Sequence, residues 1–579
     1  MVKKWIFKSF IVCIILLNIE LNAQYRFIKA GSIEDDRLIS SDLGLINTNR
    51  FYPQSAELLN QTQGNNHKQF INSEISILRS EFCDKNFNYF NWSNPEYFGN
   101  KKIPFTNWNF IQKIGPKSLY QNPNRFYSWE SKDRKDYFVI NPVLDLSYSR
   151  KTAISDSMLF NGRGLEFYGQ FGDKFTFYTQ LMDYQADYSK SIDNYKDSLH
   201  IYPGIGKFYR NSFNYVDYFY TTGYVSGKLL EKKQYDSTLK KDELVYQIVA
   251  TFGNDKQFIG NGFRSLILSD FAPPSLFLQV NYKLGPFRYQ NLFKELIGDL
   301  SIDSNKILNK KYLALHRASL EFEKVGLELG LTEMIVQSRS NNGFDPNYFN
   351  PIIFYRAVER DLGSGDNALI ALDAKYKKGD FMFYTQFVLD EFSVSKAFTT
   401  NSFLNKFAFQ LGGYYRPQLS FMKQGYLNLE FNQVRPYTYS HWTTDYYSSY
   451  NQALAHPLES NFREVLLRMF FVPQNLQRWS FRNITSFAFK GFDMNGKNYG
   501  SDIRKNYYTA AEKSNALIGQ GDKANIFNTL NEITYYAMPN LMLQLTQQFR
   551  SQSNIHQSYN YLYFSIKYNF TQNRNQYIF

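Results

Sequence analysis

From Leu276 to Leu284 the chain reads Leu-Phe-Leu-Gln-Val-Asn-Tyr-Lys-Leu, with every even position apolar or aromatic and the polar residues Gln279, Asn281 and Lys283 on odd ones. A period of two predicts a strand with one greasy face and one wet face. The pattern returns around Lys378-Gly379-Asp380, a turn that joins Ile370, Leu372, Ala374 and Tyr376 to Phe381, Phe383 and Phe387 and so predicts a hairpin. Further strands are predicted at Leu165 to Phe171, Phe175 to Leu181, Leu244 to Ala250, Ala318 to Phe322 and Val325 to Leu331. Phe407 to Tyr415, Leu427 to Phe431, Trp479 to Phe487 and Leu541 to Leu545 continue the series.

At the C-terminus Leu562, Phe564, Ile566, Tyr568 and Phe570 share one face. A last strand ending in an aromatic residue resembles the signal read by the barrel assembly machinery, with Phe570 and Phe579 both candidates for that aromatic. A soluble sandwich also shows period two, but its core does not need so many aromatic faces. The expected fold is all-β: a transmembrane antiparallel β-barrel running from 137 to 570. At about 24 residues per strand and loop, that length gives roughly eighteen strands, with sixteen or fourteen as alternatives.

The N-terminus suits this location. Basic Lys3 and Lys4, an apolar run around Phe10 to Leu17 and Leu21-Asn22-Ala23 predict a signal peptide over 1–23 and Sec-type export to the cell outer membrane. Residues 24–136 predict a partly helical periplasmic or plug region, with irregular first strands as the other reading, and 571–579 a C-terminal tail. Cys13 leaves with the signal, so Cys83 has no partner for an internal disulfide.

Phe, Tyr and Trp make up 18% of the chain, which fits sheets with one aromatic-rich face. The formal charge is +13, and removing Lys3, Lys4, Lys8 and Glu20 leaves +11. For an exported protein this favours anionic lipopolysaccharide and acidic glycans as partners. The basic residues are scattered, so no nucleic-acid footprint is expected.

Candidate chemistry is sparse. Gly260-Asn261-Gly262 lacks the third glycine of a dinucleotide fingerprint and sits between strands, so no phosphate-cradling loop is expected. Leu266 and Leu268 are expected in a short apolar strand ending at Ser269-Asp270, before Pro273-Pro274. None of the six histidines has metal-ligand spacing to another His or Cys, so neither metal nor cofactor is expected. Ser440, His441 and Asp445 invite a nucleophile-and-base reading, but neighbours on a strand point to opposite faces, and a non-enzymatic protein is expected. Two polar, aromatic stretches, 341–367 and 437–464, read either as ordinary long loops with interfacial aromatics or as sugar-binding surface. They supply Arg356, Glu359, Arg360, His441 and Trp442 as candidate glycan-binding or lumenal residues, with Arg264 from the glycine-containing stretch.

The segment FIGNGFRSLILSDFAPP resembles a marker of the capsule-assembly Wzi family of outer-membrane proteins. GFDPNYFNPIIFYRAVERDLGSGDNALIALDAK and YNQALAHPLESNFRE are similar to its Bacteroidetes branch, the gliding-motility RemB-like proteins. The resemblance implies a barrel of about eighteen strands that binds or organises surface polysaccharide, serving capsule or motility machinery. It marks Gly260, Gly262, Ser265, Leu266, Leu268, Ser269, Asn350, Pro351 and Tyr355 as family positions. The chain departs from the family pattern at Asn261, where the pattern has proline. The expected function is therefore glycan handling at the outer membrane, with a general or solute-specific diffusion porin as the alternative.

Overall fold

Eighteen long strands close into one antiparallel barrel in the computed structural model. The structure describes residues 127–568, apart from short internal stretches such as 299–308 and 391–400, together with the strand Asn49–Phe51. The expected signal peptide, Cys83, most of the region 24–136, Phe570 and the tail 571–579 lie outside the described residues.

In chain order the strands are β1 Tyr137–Ser149, β2 Met158–Phe171, β3 Phe175–Asp187, β4 Val216–Asp236, β5 Lys241–Asp255 and β6 Ser275–Leu284. They continue as β7 Phe287–Ile297, β8 Lys310–Phe322, β9 Leu327–Gln337, β10 Asn367–Lys378, β11 Phe381–Asp390 and β12 Lys406–Tyr415. The last six are β13 Met422–Val434, β14 Phe462–Pro473, β15 Trp479–Phe492, β16 Asp522–Met538, β17 Leu541–Gln552 and β18 Gln557–Tyr568. Each pairs with its sequence neighbour, and Phe564 to Tyr568 of β18 pair with Tyr148 to Leu144 of β1 to close the ring. Closure leaves no unpaired edge, the condition for placing backbone in lipid.

The predicted alternation sorts the two faces. In β6, Leu276, Leu278 and Leu284 are exposed on the outer wall, while Phe277 and Gln279 are buried toward the lumen. The hairpin at Gly379-Asp380 forms as expected, with Lys378 opposite Phe381. Strands β1, β4, β7, β14 and β16 were not anticipated as units.

The two ends differ. Tight turns such as 285–286 and 379–380 join strands at one end, which is the periplasmic side in barrels of this kind. An aromatic girdle rings that end: Phe381 stacks on Tyr415 with centroids 4.5 Å apart, Phe471 on Phe481 at 5.0 Å, and Trp479 lies 4.9 Å from Tyr535. Such rings suit the boundary between hydrocarbon and water. The other, outer end carries the long connections, among them 188–215, 256–274, 338–366, 435–461 and 493–521. Two short helices lie in them, α1 Lys190–Leu199 and α2 Tyr355–Leu362, and no described helix is long and apolar enough to cross a membrane.

Candidate functional site

The connection 256–274 does not stand out from the barrel as a loop, nor does it form the expected strand at Leu266 and Leu268. Gln257–Ile259 makes a short strand, Leu268 bridges to Ile259, and the whole segment turns into the lumen, where nearly all of it is buried. The correction has a physical cause. Leu266, Ile267, Leu268 and Phe271 can shed water only against the apolar side chains that line the outer half of the lumen. Leu292, Leu313, Met334, Leu369 and Val388 supply that lining.

The wall grips the main chain of this plug. Glu430 on β13 accepts the backbone N–H of Phe263 at 2.7 Å and of Arg264 at 3.1 Å, and also the Tyr384 hydroxyl at 2.7 Å. The Gln386 amide is used at both ends: its Oε1 accepts the Leu266 N–H at 2.8 Å, and its Nε2 donates to the Ile259 carbonyl at 3.0 Å. Gln410 donates to the Arg264 carbonyl at 3.0 Å. Buried peptide groups must find partners, and these wall residues provide them.

The glycines are required by that closeness. A Cβ on Gly262 would stand 2.3 Å from the Glu430 carboxylate, and one on Gly260, whose φ is +143°, would stand 2.5 Å from Gln386 Nε2. Ser265 and Ser269 cap the turn: their hydroxyls donate to the carbonyls of Ile259 and Ala455, and Ser265 Oγ accepts the Ile267 N–H at 3.1 Å. Gly260, Gly262, Ser265, Leu266, Leu268 and Ser269 are thus one structural unit, the inward plug.

A second connection, 435–461, folds down onto the first. Tyr439 and Tyr447 donate their hydroxyls to the carbonyls of Leu266 at 2.7 Å and Ile267 at 2.8 Å, and the Ser269 N–H donates to the Leu454 carbonyl at 2.7 Å. Six of the eight described non-glycine residues with left-handed φ lie here, including Tyr437, Tyr439 and Glu459. A backbone held in sparsely populated conformations is over-determined by its surroundings. The two plug segments and the wall meet at Glu464. It pairs with Arg264 at 3.3 Å and His456 at 2.8 Å, and it accepts from Asn432 at 3.1 Å. Burial pushes the His456 imidazole below its usual pKa, against the pull of Glu464.

Below the plug the lumen is polar and charged. Arg317 on β8 bonds Asp373 at 2.6 Å and Glu328 at 3.1 Å, and Lys375 reaches Glu328 at 2.8 Å.

The candidate residues from the sequence are dispersed. Arg264 is buried in the plug. His441 is buried at the outer mouth with Nδ1 2.7 Å from Thr443 Oγ1, and the Thr443 hydroxyl in turn donates to Asp445. The Ser440 hydroxyl donates to the Tyr437 carbonyl instead of facing His441. Trp442 is 45% exposed beside Gly365, its carbonyl accepting from Asn506 at 3.0 Å, and Tyr508 is 56% exposed on the same neighbouring loop. Trp442 therefore belongs to an aromatic surface at the mouth, with the buried His441 ring 5.6 Å from its own. Arg356, Glu359 and Arg360 do not line the lumen: they lie on α2, with Asn350, Pro351 and Tyr355, in a strap that packs on the outside of the barrel. The reason is chemical. Tyr348 and Tyr355 bury their rings against the outward-facing Ala314 and Ile335.

Sequence reasoning missed Glu430, Gln386, Glu464 and the role of His456. The available signal was a carboxylate between Leu429 and Phe431 on a lumen-facing position, where a free charge is costly.

No protein-family profile matches the chain, and no curated protein matches it. Among solved structures it is similar to Wzi of Escherichia coli, described as a carbohydrate-binding β-barrel involved in group 1 capsule assembly, at 14% identity and a TM-score of 0.47, over 75% of this chain and 85% of that one. It is also similar to the Pseudomonas aeruginosa outer-membrane proteins OpdK, at 10% identity and TM-score 0.39 over 74% of this chain and 98% of that one, and OprD, at 11% and 0.37 over 74% and 92%.

Proposed function

We propose that this protein is a closed outer-membrane barrel that binds or organises surface polysaccharide at its outer mouth, without catalysing a reaction. The observation that carries this reading is the filled lumen: two connections are interlocked with each other and hydrogen-bonded to the wall at Glu430, Gln386 and Glu464. Such a plug costs a solute pathway and supplies a rigid floor for the mouth. Exposed Trp442 and Tyr508 suit stacking on sugar C–H faces, and the surrounding Asn, Ser and Asp residues suit hydroxyls. The setting, capsule or surface motility, is open to a deletion strain scored for both.

Retention of extracted cell-surface polysaccharide by immobilised full-length protein tests the reading, with Trp442→Ala as the informative variant. Loss of retention with an intact barrel supports it, and unchanged retention counts against the mouth as a glycan surface. The porin reading draws on one specific observation, the charged lumen around Arg317 beneath the plug. It requires the plug to move.

A further inference from the structure

The strap 343–366 occupies an unusual place. Residues paired across a sheet face the same side, and His316 of β8 is opposite Asn291 of β7 and Glu333 of β9. Four and six residues along β8 from His316, Leu320 and Phe322 are exposed on the outer wall, as are Leu329 and Leu331 of β9, so His316 and Glu333, which share their parity, face outward as well. Both are nevertheless buried, because the strap covers them. Glu333 pairs with His316 at 3.0 Å and accepts the backbone N–H groups of Tyr355 at 2.8 Å and Arg356 at 3.0 Å, at the start of α2. The Tyr355 ring lies 4.2 Å from the His316 ring, Phe349 packs 4.8 Å from Phe293, and the Tyr289 hydroxyl donates to the Pro351 carbonyl.

Glu333 lies four residues before the end of β9 at Gln337. At about 3.4 Å per residue and a tilt of about 40°, this is roughly 10 Å below the outer rim. Leu329 and Leu331 continue the wall beneath it as lipid-facing surface. The strap therefore lies at the depth of the outer leaflet, and its own outer side carries exposed Phe349, Phe354 and Leu362 in continuity with that apolar band. Arg356 and Arg360 are exposed and one turn apart on α2, which places their side chains on one face. Glu359 pairs with Arg356, and Asp361 is the other exposed charge on the helix.

We propose that this strap is embedded in the outer leaflet and binds a phosphorylated glycolipid there. Acyl chains pack on Phe349, Phe354 and Leu362, and a headgroup phosphate sits at Arg356 and Arg360. Guanidinium groups suit phosphate through charge-assisted paired hydrogen bonds. Amphipathic helices lying in a membrane interface use the same division of labour. The strap thereby also keeps the Glu333–His316 pair out of hydrocarbon. The inference does not depend on whether the lumen conducts or the mouth binds sugar.

The test uses full-length protein carrying Cys83→Ser, with a nitroxide label at Phe354→Cys and, as a lipid-facing control, at Leu329→Cys. In liposomes containing lipid A, the label at 354 is expected to be as accessible to oxygen as the control and shielded from a water-soluble nickel chelate. Accessibility to the nickel chelate would overturn the proposal. So would a label shielded from both reagents, which would mean that a protein partner covers the strap.

For the headgroup, lipid A is expected to raise the temperature at which the barrel loses its compact electrophoretic form, compared with phosphatidylethanolamine alone. Arg356→Gln with Arg360→Gln should lose most of that shift while the barrel still assembles. An equal shift in the double variant would overturn phosphate recognition. An equal shift from inorganic phosphate would show a free-anion site and overturn the lipid.

Discussion

Glu430 receives the backbone N–H of Phe263 at 2.7 Å, across 167 positions of sequence. That bond fixes the glycine-containing segment inside the barrel, because the same carboxylate also accepts from Arg264, Tyr384 and Asn432. Glu430→Ala leaves two buried peptide N–H groups and a tyrosine hydroxyl without their acceptor. At about 1.5–3 kcal/mol for a hydrogen bond to a charged group, and with bonds that are not additive, the expected loss is about 3 kcal/mol. The heat-modifiability midpoint should fall, and a barrel that retains its midpoint would mean that the plug is held elsewhere.

Gly262→Ala tests close approach. A Cβ there meets the Glu430 carboxylate at 2.3 Å and the Arg264 carbonyl at 2.9 Å. Overpacking predicts a loss of about 1–3 kcal/mol. Gly285→Ala is the control, because Gly285 sits in an open turn at φ +53° and loses only about 1 kcal/mol of left-handed preference. Equal effects on thermal stability would remove the packing argument.

His456 links pH to the plug. Burial depresses its folded-state pKa, so the unfolded chain takes up a proton that the folded barrel refuses. Stability attributable to this residue is present above the unfolded value of about 6.5 and is lost as pH falls from there through the folded pKa. His456→Gln should flatten that part of the curve of unfolding temperature against pH. An unchanged acid limb would assign the loss to other groups; Glu459 is not among them, because burial shifts its pKa upward and acts in the opposite sense.

Trp442→Ala should weaken polysaccharide retention by about tenfold, the equivalent of about 1.4 kcal/mol of ring stacking. Tyr508→Ala should act in the same direction. The midpoint of barrel unfolding should stay within about 0.5 kcal/mol of wild type, because both side chains are surface exposed. A drop in retention that merely follows a drop in stability would point to misfolding of the mouth.

Much of the wall was legible in the sequence because alternation is a local property. Ile370, Leu372, Ala374 and Tyr376 carry their facing with them, and Gly379-Asp380 turns the chain where the pattern predicts. The side to which a long connection folds is not local. Residues 256–274 go inward because Glu430, Gln386 and an apolar lumen lining await them. Residues 343–366 go outward because Glu333 and His316 need cover. A trace of both was present. Met334-Ile335-Val336 and Phe387-Val388-Leu389 abandon alternation near the outer rim, as strands do when both faces are covered. Trp442 was found as a residue but without its neighbours, since Gly365 and Asn506 reach it from connections far away in sequence.

The central claim is that the lumen is closed by its own inward-folded connections. Single-molecule conductance of the full-length protein in planar bilayers tests it most directly, with a variant lacking residues 260–270 as the paired sample. The account predicts no steady conductance from wild type and large openings from the deletion variant. Large, steady conductance from the intact protein would contradict it.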